Sequence, residues 1–107
     1  EFIYYIKKLV LEWKSWIKQT KSYSVAYHYY AVLTICRAYY VLHHKEQGSK
    51  LNAGQWMMKK FPKWEDLIKR AISQKDKPFN KDCKESSIYP EVFGFVSEII
   101  NIIEAKF

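Results

Sequence analysis

The chain has 107 residues, room for one hydrophobic core and too little for two. Apolar residues make up 49% and aromatic residues 18%, which excludes a disordered tail and points to a core built on large rings. The net charge of +7, carried mostly by lysine, favours anionic partners such as phosphate without choosing among them.

Residues 2–19 carry Phe2, Ile6, Leu9, Trp13 and Trp16 at alternating four- and three-residue spacing, with Ile3, Val10 and Ile17 beside them. Lys7, Lys8, Lys14 and Lys18 fall mostly off that line, so the spacing predicts an amphipathic helix. The polar run Gln19-Thr20-Lys21-Ser22 ends it. Residues 23–44 are the most apolar stretch. Ala26, Tyr29, Leu33, Cys36 and Tyr40 make one face, and Val25, Val32, Ile35, Tyr39 and Leu42 make another. A helix apolar on most sides belongs at the centre of a bundle. Arg37, His28 and the many tyrosines exclude a membrane span.

The segment His44 to Gly48 breaks that helix, with Gly48 expected as the turn residue. Ser49 is placed to cap a short helix over 50–60, which Pro62 stops. Trp64, Leu67, Ile68, Ala71 and Ile72 predict an amphipathic helix over 64–74. Residues 75–87 read as a polar loop, and Ser87 or Tyr89 opens a last helix with Pro90 and Glu91 in its first turn. Its core stripe is Val92, Val96, Ile99 and Ile103. Together these give an all-α fold: one domain over residues 1–107, a five-helix bundle with short connections and a polar loop near 75–87. Cys36 and Cys83 lack metal-ligand spacing, and no secretory signal is read at the start, so reduced thiols in the cytoplasm are expected.

Arg37 is the most informative polar residue. It stands among Ile35, Cys36, Ala38, Tyr39 and Tyr40, where a guanidinium calls for an anionic companion or an exposed helix edge. Phosphate is one such companion, gripped in a bidentate fork. Lys50 follows Gly48-Ser49 at a helix start, where free N–H groups and the positive dipole end attract phosphate. The acids offer no metal site: there is no Asp-x-Asp, Glu65 and Asp66 splay apart, and Asp76, Asp82 and Glu85 lie in the polar loop. No Ser-His-Asp or Cys-His arrangement is legible, and His28, His43 and His44 lack ligand-like spacing.

The stretch Leu33-Thr34-Ile35-Cys36-Arg37, followed by Tyr40, Gly48-Ser49-Lys50, Ala53, Trp56, Pro62, Ile68 and Ala71, resembles the C-terminal helical domain of aminoglycoside adenylyltransferases of the streptomycin/spectinomycin type. The resemblance is good over residues 31–72 and looser elsewhere. It implies the C-terminal part of a longer nucleotidyltransferase, partnered by an N-terminal nucleotidyltransferase domain. That enzyme transfers AMP from ATP to an antibiotic hydroxyl, on an aminoglycoside or aminocyclitol. ATP and Mg²⁺ are implied for the whole enzyme, with Mg²⁺ held by the N-terminal domain and not by this chain, which alone is not expected to catalyse.

The resemblance also assigns ATP contacts to Arg37 and Lys50, and it aligns a nucleotide-reaching tyrosine of the family near Lys75. Where streptomycin-accepting members carry Trp, Asp and His before the arginine, this chain has Lys18 to Tyr30 with no acid. Tyr23, Tyr27 and Tyr30 are then the substrate-cleft candidates. Two alternatives stay open. Arg37 and His43 fit the loose Arg-x(4–6)-His pattern of HEPN-type helical ribonucleases or toxins, with His43 as acid/base and Arg37 on the scissile phosphate. The other is a non-catalytic helical interaction domain. The leading reading has no place for a membrane or a nucleic acid.

Overall fold

The structure, a computed structural model, describes residues 2–19, 25–74 and 88–106. Among these residues five α-helices follow one another: α1 (Phe2–Gln19), α2 (Val25–His44), α3 (Lys50–Lys60), α4 (Glu65–Gln74) and α5 (Tyr89–Lys106). A 3-10 turn, Pro62–Trp64, joins α3 to α4, and no strand occurs among the described residues. The fold is the all-α bundle that the periodicity predicts. The polar loop expected over 75–87, with Cys83 and Ser87, lies outside the described residues.

Local chemistry sets the helix ends. Ser49 caps α3, its hydroxyl oxygen accepting the Asn52 N–H at 3.0 Å. Phe61 closes that helix with an N–H bond to the Met57 carbonyl at 2.8 Å, and Pro62 then opens the 3-10 turn. Glu65 and Asp66 occupy the first turn of α4 and Glu91 that of α5, where the positive end of the helix dipole favours acids. Replacing Ser49 with alanine is expected to lower stability by about 1 kcal/mol, the usual worth of such a cap, as a reduced thermal midpoint.

Helix α2 is the spine and packs against the other four helices. It buries Ala31, Val32, Leu33, Ile35, Cys36, Tyr39, Val41 and Leu42. Around it α5 supplies Val92, Phe95, Val96, Ile99, Ile100 and Ile103, which include the whole predicted stripe. Leu67, Ile68 and Ala71 of α4 and Ala53 and Met57 of α3 close the core. Cys36 is fully buried, and desolvation pushes its thiol well above the ordinary range, so it behaves as a core side chain.

Among the described side chains of α1 the buried ones are Val10 and Ile17, one heptad apart. The stripe expected to be the core face, Ile6, Leu9, Trp13 and Trp16, is only half buried. The helix is turned so that these larger side chains reach the α1–α2 seam instead of the centre.

Polar links tie the periphery together. Arg70 of α4 pairs with Asp66 on its own helix and with Glu91 of α5, and its guanidinium reaches the Tyr29 hydroxyl of α2 at 3.5 Å. Trp64 Nε1–H and Lys63 Nζ both donate to Glu98, and the tryptophan bond foremost holds that carboxyl below the ordinary glutamate range. Lys14 joins α1 to Glu104 of α5 at 3.2 Å. The Tyr89 hydroxyl donates to the Ile17 carbonyl at 3.1 Å, fastening the start of α5 to α1.

Candidate functional site

A cavity of about 500 Å³ lies in the seam between α1 and α2. Each helix offers it a stripe at three- to four-residue spacing: Ile6, Leu9, Val10 and Trp13 from α1, and Tyr30, Thr34, Arg37, Ala38 and Val41 from α2. Tyr5, Ile35 and Gln47 complete the lining. Thr34 turns its hydroxyl back onto the Tyr30 carbonyl at 2.9 Å, and Trp13 leans on Trp16, ring centroids 4.7 Å apart.

Arg37 is the one charged side chain among the described residues that line this cavity. It is exposed, at the edge of α2, and not sunk in the apolar core as its neighbours in sequence suggest. The reason is angular: Arg37 shares the face of Tyr30, Thr34 and Ala38, whereas Ile35, Cys36 and Tyr39 point inward. Among the described residues no carboxylate comes within ion-pairing distance of it. The described acids that do form ion pairs are Asp66, Glu91, Glu98 and Glu104, with Arg70, Lys63 and Lys14.

Lys50 is the first residue of α3, directly after the Ser49 cap. Its Nζ stands 3.9 Å from the centroid of the Tyr30 ring. Tyr30, 43% exposed, links the two basic groups: it lines the cavity with Arg37 and carries the Lys50 ammonium on its face. The tyrosine candidates divide. Tyr30 is in the site. Tyr27 lies behind it, 6.0 Å from its ring, and continues to Trp16 at 5.5 Å. Tyr23 and Lys75 lie outside the described residues.

Arg37 and His43, the pair of the ribonuclease alternative, both lie on α2. Six residues apart on a helix, they stand about 120° from each other around α2. His43 meets Trp56 of α3 at 4.9 Å and stacks beside Tyr39. Its imidazole is held below the ordinary value, first by partial desolvation and then by the neighbouring positive charges of His44, Lys106 and Lys60. His28 is buried with its ring 5.2 Å from Tyr89. Among the described residues no three His, Cys, Asp or Glu side chains stand close enough together to hold a metal ion. No helix among them is long and apolar enough to cross a membrane.

Gln47 is the site residue that the sequence does not announce. It sits in the connection between α2 and α3 and brings a carboxamide to the cavity that Arg37 lines. A lone glutamine beside a glycine has no periodicity to mark it, and only the path of the connection reveals its place.

Comparison with curated proteins and with solved structures gives no match. The family model described as aminoglycoside adenylyltransferase, C-terminal domain, matches residues 1–100, and the chain belongs to that family.

Proposed function

We propose that this domain forms one wall of the ATP- and acceptor-binding cleft of an aminoglycoside O-nucleotidyltransferase, with Arg37 and Lys50 as its phosphate contacts. The observation that carries the reading is an exposed guanidinium beside an open cavity, with no carboxylate among the described residues to neutralise it. Membership of the family supplies the reaction class, transfer of AMP from ATP to an antibiotic hydroxyl, and implies an N-terminal catalytic domain as partner. Mg²⁺ falls to that partner. The acids described here do not fit it, because four of them are engaged by Arg70, Lys63 and Lys14 and none forms a cluster of three.

Within such a cleft the chain's own chemistry is binding and orientation. Arg37 would take two phosphate oxygens in a planar fork, and Lys50 would add a point charge at the N-terminus of α3, where its backbone N–H groups also favour an anion. Tyr30, with Tyr27 and Trp16 behind it, would border the acceptor, offering ring faces to sugar C–H groups. Acceleration then comes from alignment and charge neutralisation.

The test is ATP kinetics in the full-length transferase that carries this domain. Arg37→Ala is expected to raise KM for ATP roughly tenfold to a hundredfold, the loss of a charge-assisted contact of about 1.5–3 kcal/mol, with helical content unchanged. Unaltered ATP kinetics in a folded Arg37→Ala protein would remove the basis of the reading.

A further inference from the structure

The α2–α3 connection must reverse the chain in the five residues 45–49. Lys45 makes the turn, in the left-handed region at φ 61°, and its N–H donates to the Val41 carbonyl at 2.9 Å. Gly48, expected from the sequence to be the turn residue, has no positive φ. Its backbone conformation does not call for glycine.

What calls for glycine is Tyr40. A β-carbon at position 48 would stand 2.5 Å from Cε1 and 2.9 Å from Cδ1 of that ring, well inside contact distance. The ring has little room to withdraw. It stacks on His44 with centroids 4.1 Å apart and meets Trp56 of α3 edge-on at 5.8 Å. The backbone at 48 is thus pressed onto a ring that α2 and α3 hold from two sides.

The residues that flank that contact lead directly into the site. Gln47 lines the cavity with Arg37, and Ser49 caps α3 so that Lys50 begins it with its ammonium over Tyr30. Tyr40 itself is not among the lining residues.

We propose that Tyr40 is a positioning residue for nucleotide binding: its ring, packed on the bare backbone of Gly48, fixes residues 45–49 so that Gln47 is held at the cavity Arg37 lines and Lys50 over the Tyr30 ring. The proposal rests on the nucleotide reading above. Groups held in place before the ligand arrives spare it the ordering of a loop and two long side chains. The contacting atoms are ring carbons, so the hydroxyl is dispensable and the flat ring is not.

The experiment measures KM for ATP, kcat and the thermal midpoint in the full-length transferase carrying Tyr40→Phe, Tyr40→Leu, Gly48→Ala or Arg37→Ala. Tyr40→Leu is expected to raise KM for ATP roughly tenfold while kcat stays within about twofold, and Tyr40→Phe to behave as the parent. Gly48→Ala, which pushes the same contact apart from the other side, is expected to reproduce the KM effect and serves if Tyr40→Leu does not fold. An unchanged KM in folded Tyr40→Leu or Gly48→Ala protein, alongside a raised KM in Arg37→Ala, overturns the positioning role alone. An equal loss in Tyr40→Phe also overturns it, since the hydroxyl would then carry the effect. An unchanged KM in Arg37→Ala overturns the nucleotide reading itself.

Discussion

Truncating Phe95 to alanine is expected to lower the unfolding free energy by about 3–5 kcal/mol, the range for removing a buried aromatic ring. Phe95 is fully buried on α5, a helix that packs against the α2 spine. Its ring also meets Trp64 edge-on, centroids 5.3 Å apart, and Trp64 in turn donates its Nε1–H to Glu98. The truncation therefore removes transfer energy and leaves a hole whose walls belong to helices that cannot easily collapse. It also takes away the partner that steadies the Trp64–Glu98 bond. A domain of this size holds about 5–15 kcal/mol in total, so the variant should be close to unfolding at body temperature. Denaturant titration checks this: the midpoint should fall with little change in slope. A loss under about 1 kcal/mol would show that the core closes over the gap.

The opposite insult is expected at Gly54. This residue is buried on α3, and a β-carbon there would lie 3.1 Å from Ile72 Cδ1 and 3.5 Å from Ile68 Cγ2 of α4. The bare backbone is what lets α3 and α4 approach. Alanine gains about 1 kcal/mol of helix propensity and asks only the mobile end of Ile72 to shift, so Gly54→Ala should be nearly neutral. Valine adds two further methyl groups toward Ile68 and Ile72 with no room to receive them. Gly54→Val should destabilise by about 1–3 kcal/mol, despite its own propensity gain over glycine. Thermal unfolding of the pair separates the two terms, and a Val variant as stable as the Ala variant would contradict the packing account.

Much of this molecule is legible in its sequence because its helices end on strong local signals. The predicted spans 2–19, 50–60 and 64–74 agree with α1, α3 and α4 to within a residue. Each is bounded by a capping serine, a proline or a polar run, and such signals act without tertiary context. The centrality of α2 was equally readable, since apolar residues on most sides leave a helix no exposed face. Rotation about a helix axis was not. Ile6, Leu9 and Trp13 form the better periodic stripe, yet Val10 and Ile17 are what α1 buries, because the neighbours decide how far the helix turns. Arg37 shows the same limit: its sequence neighbours are apolar, but a 100° step per residue puts it on the open face with Tyr30. Gly48 is not the turn residue that its place in the sequence suggests. Glycine is commonest where φ is positive, whereas here Lys45 turns the chain and Gly48 makes way for a ring. Gln47 and the Arg70 network join residues distant in sequence, and spacing along one chain carries no trace of such meetings.

The open seam between α1 and α2 divides the labour of the fold unevenly. Folding is secured where α2 meets α5 and α4, on Leu42, Phe95, Ile68 and their neighbours. Apart from buried Val10, the inner lining contributed by α1 includes Ile6, Leu9 and Trp13, side chains the core only half encloses. Exchanging one of these for a smaller, larger or more polar residue reshapes the hollow at little cost to the bundle. Such a scaffold lets ligand preference drift among descendants while the architecture stays constant.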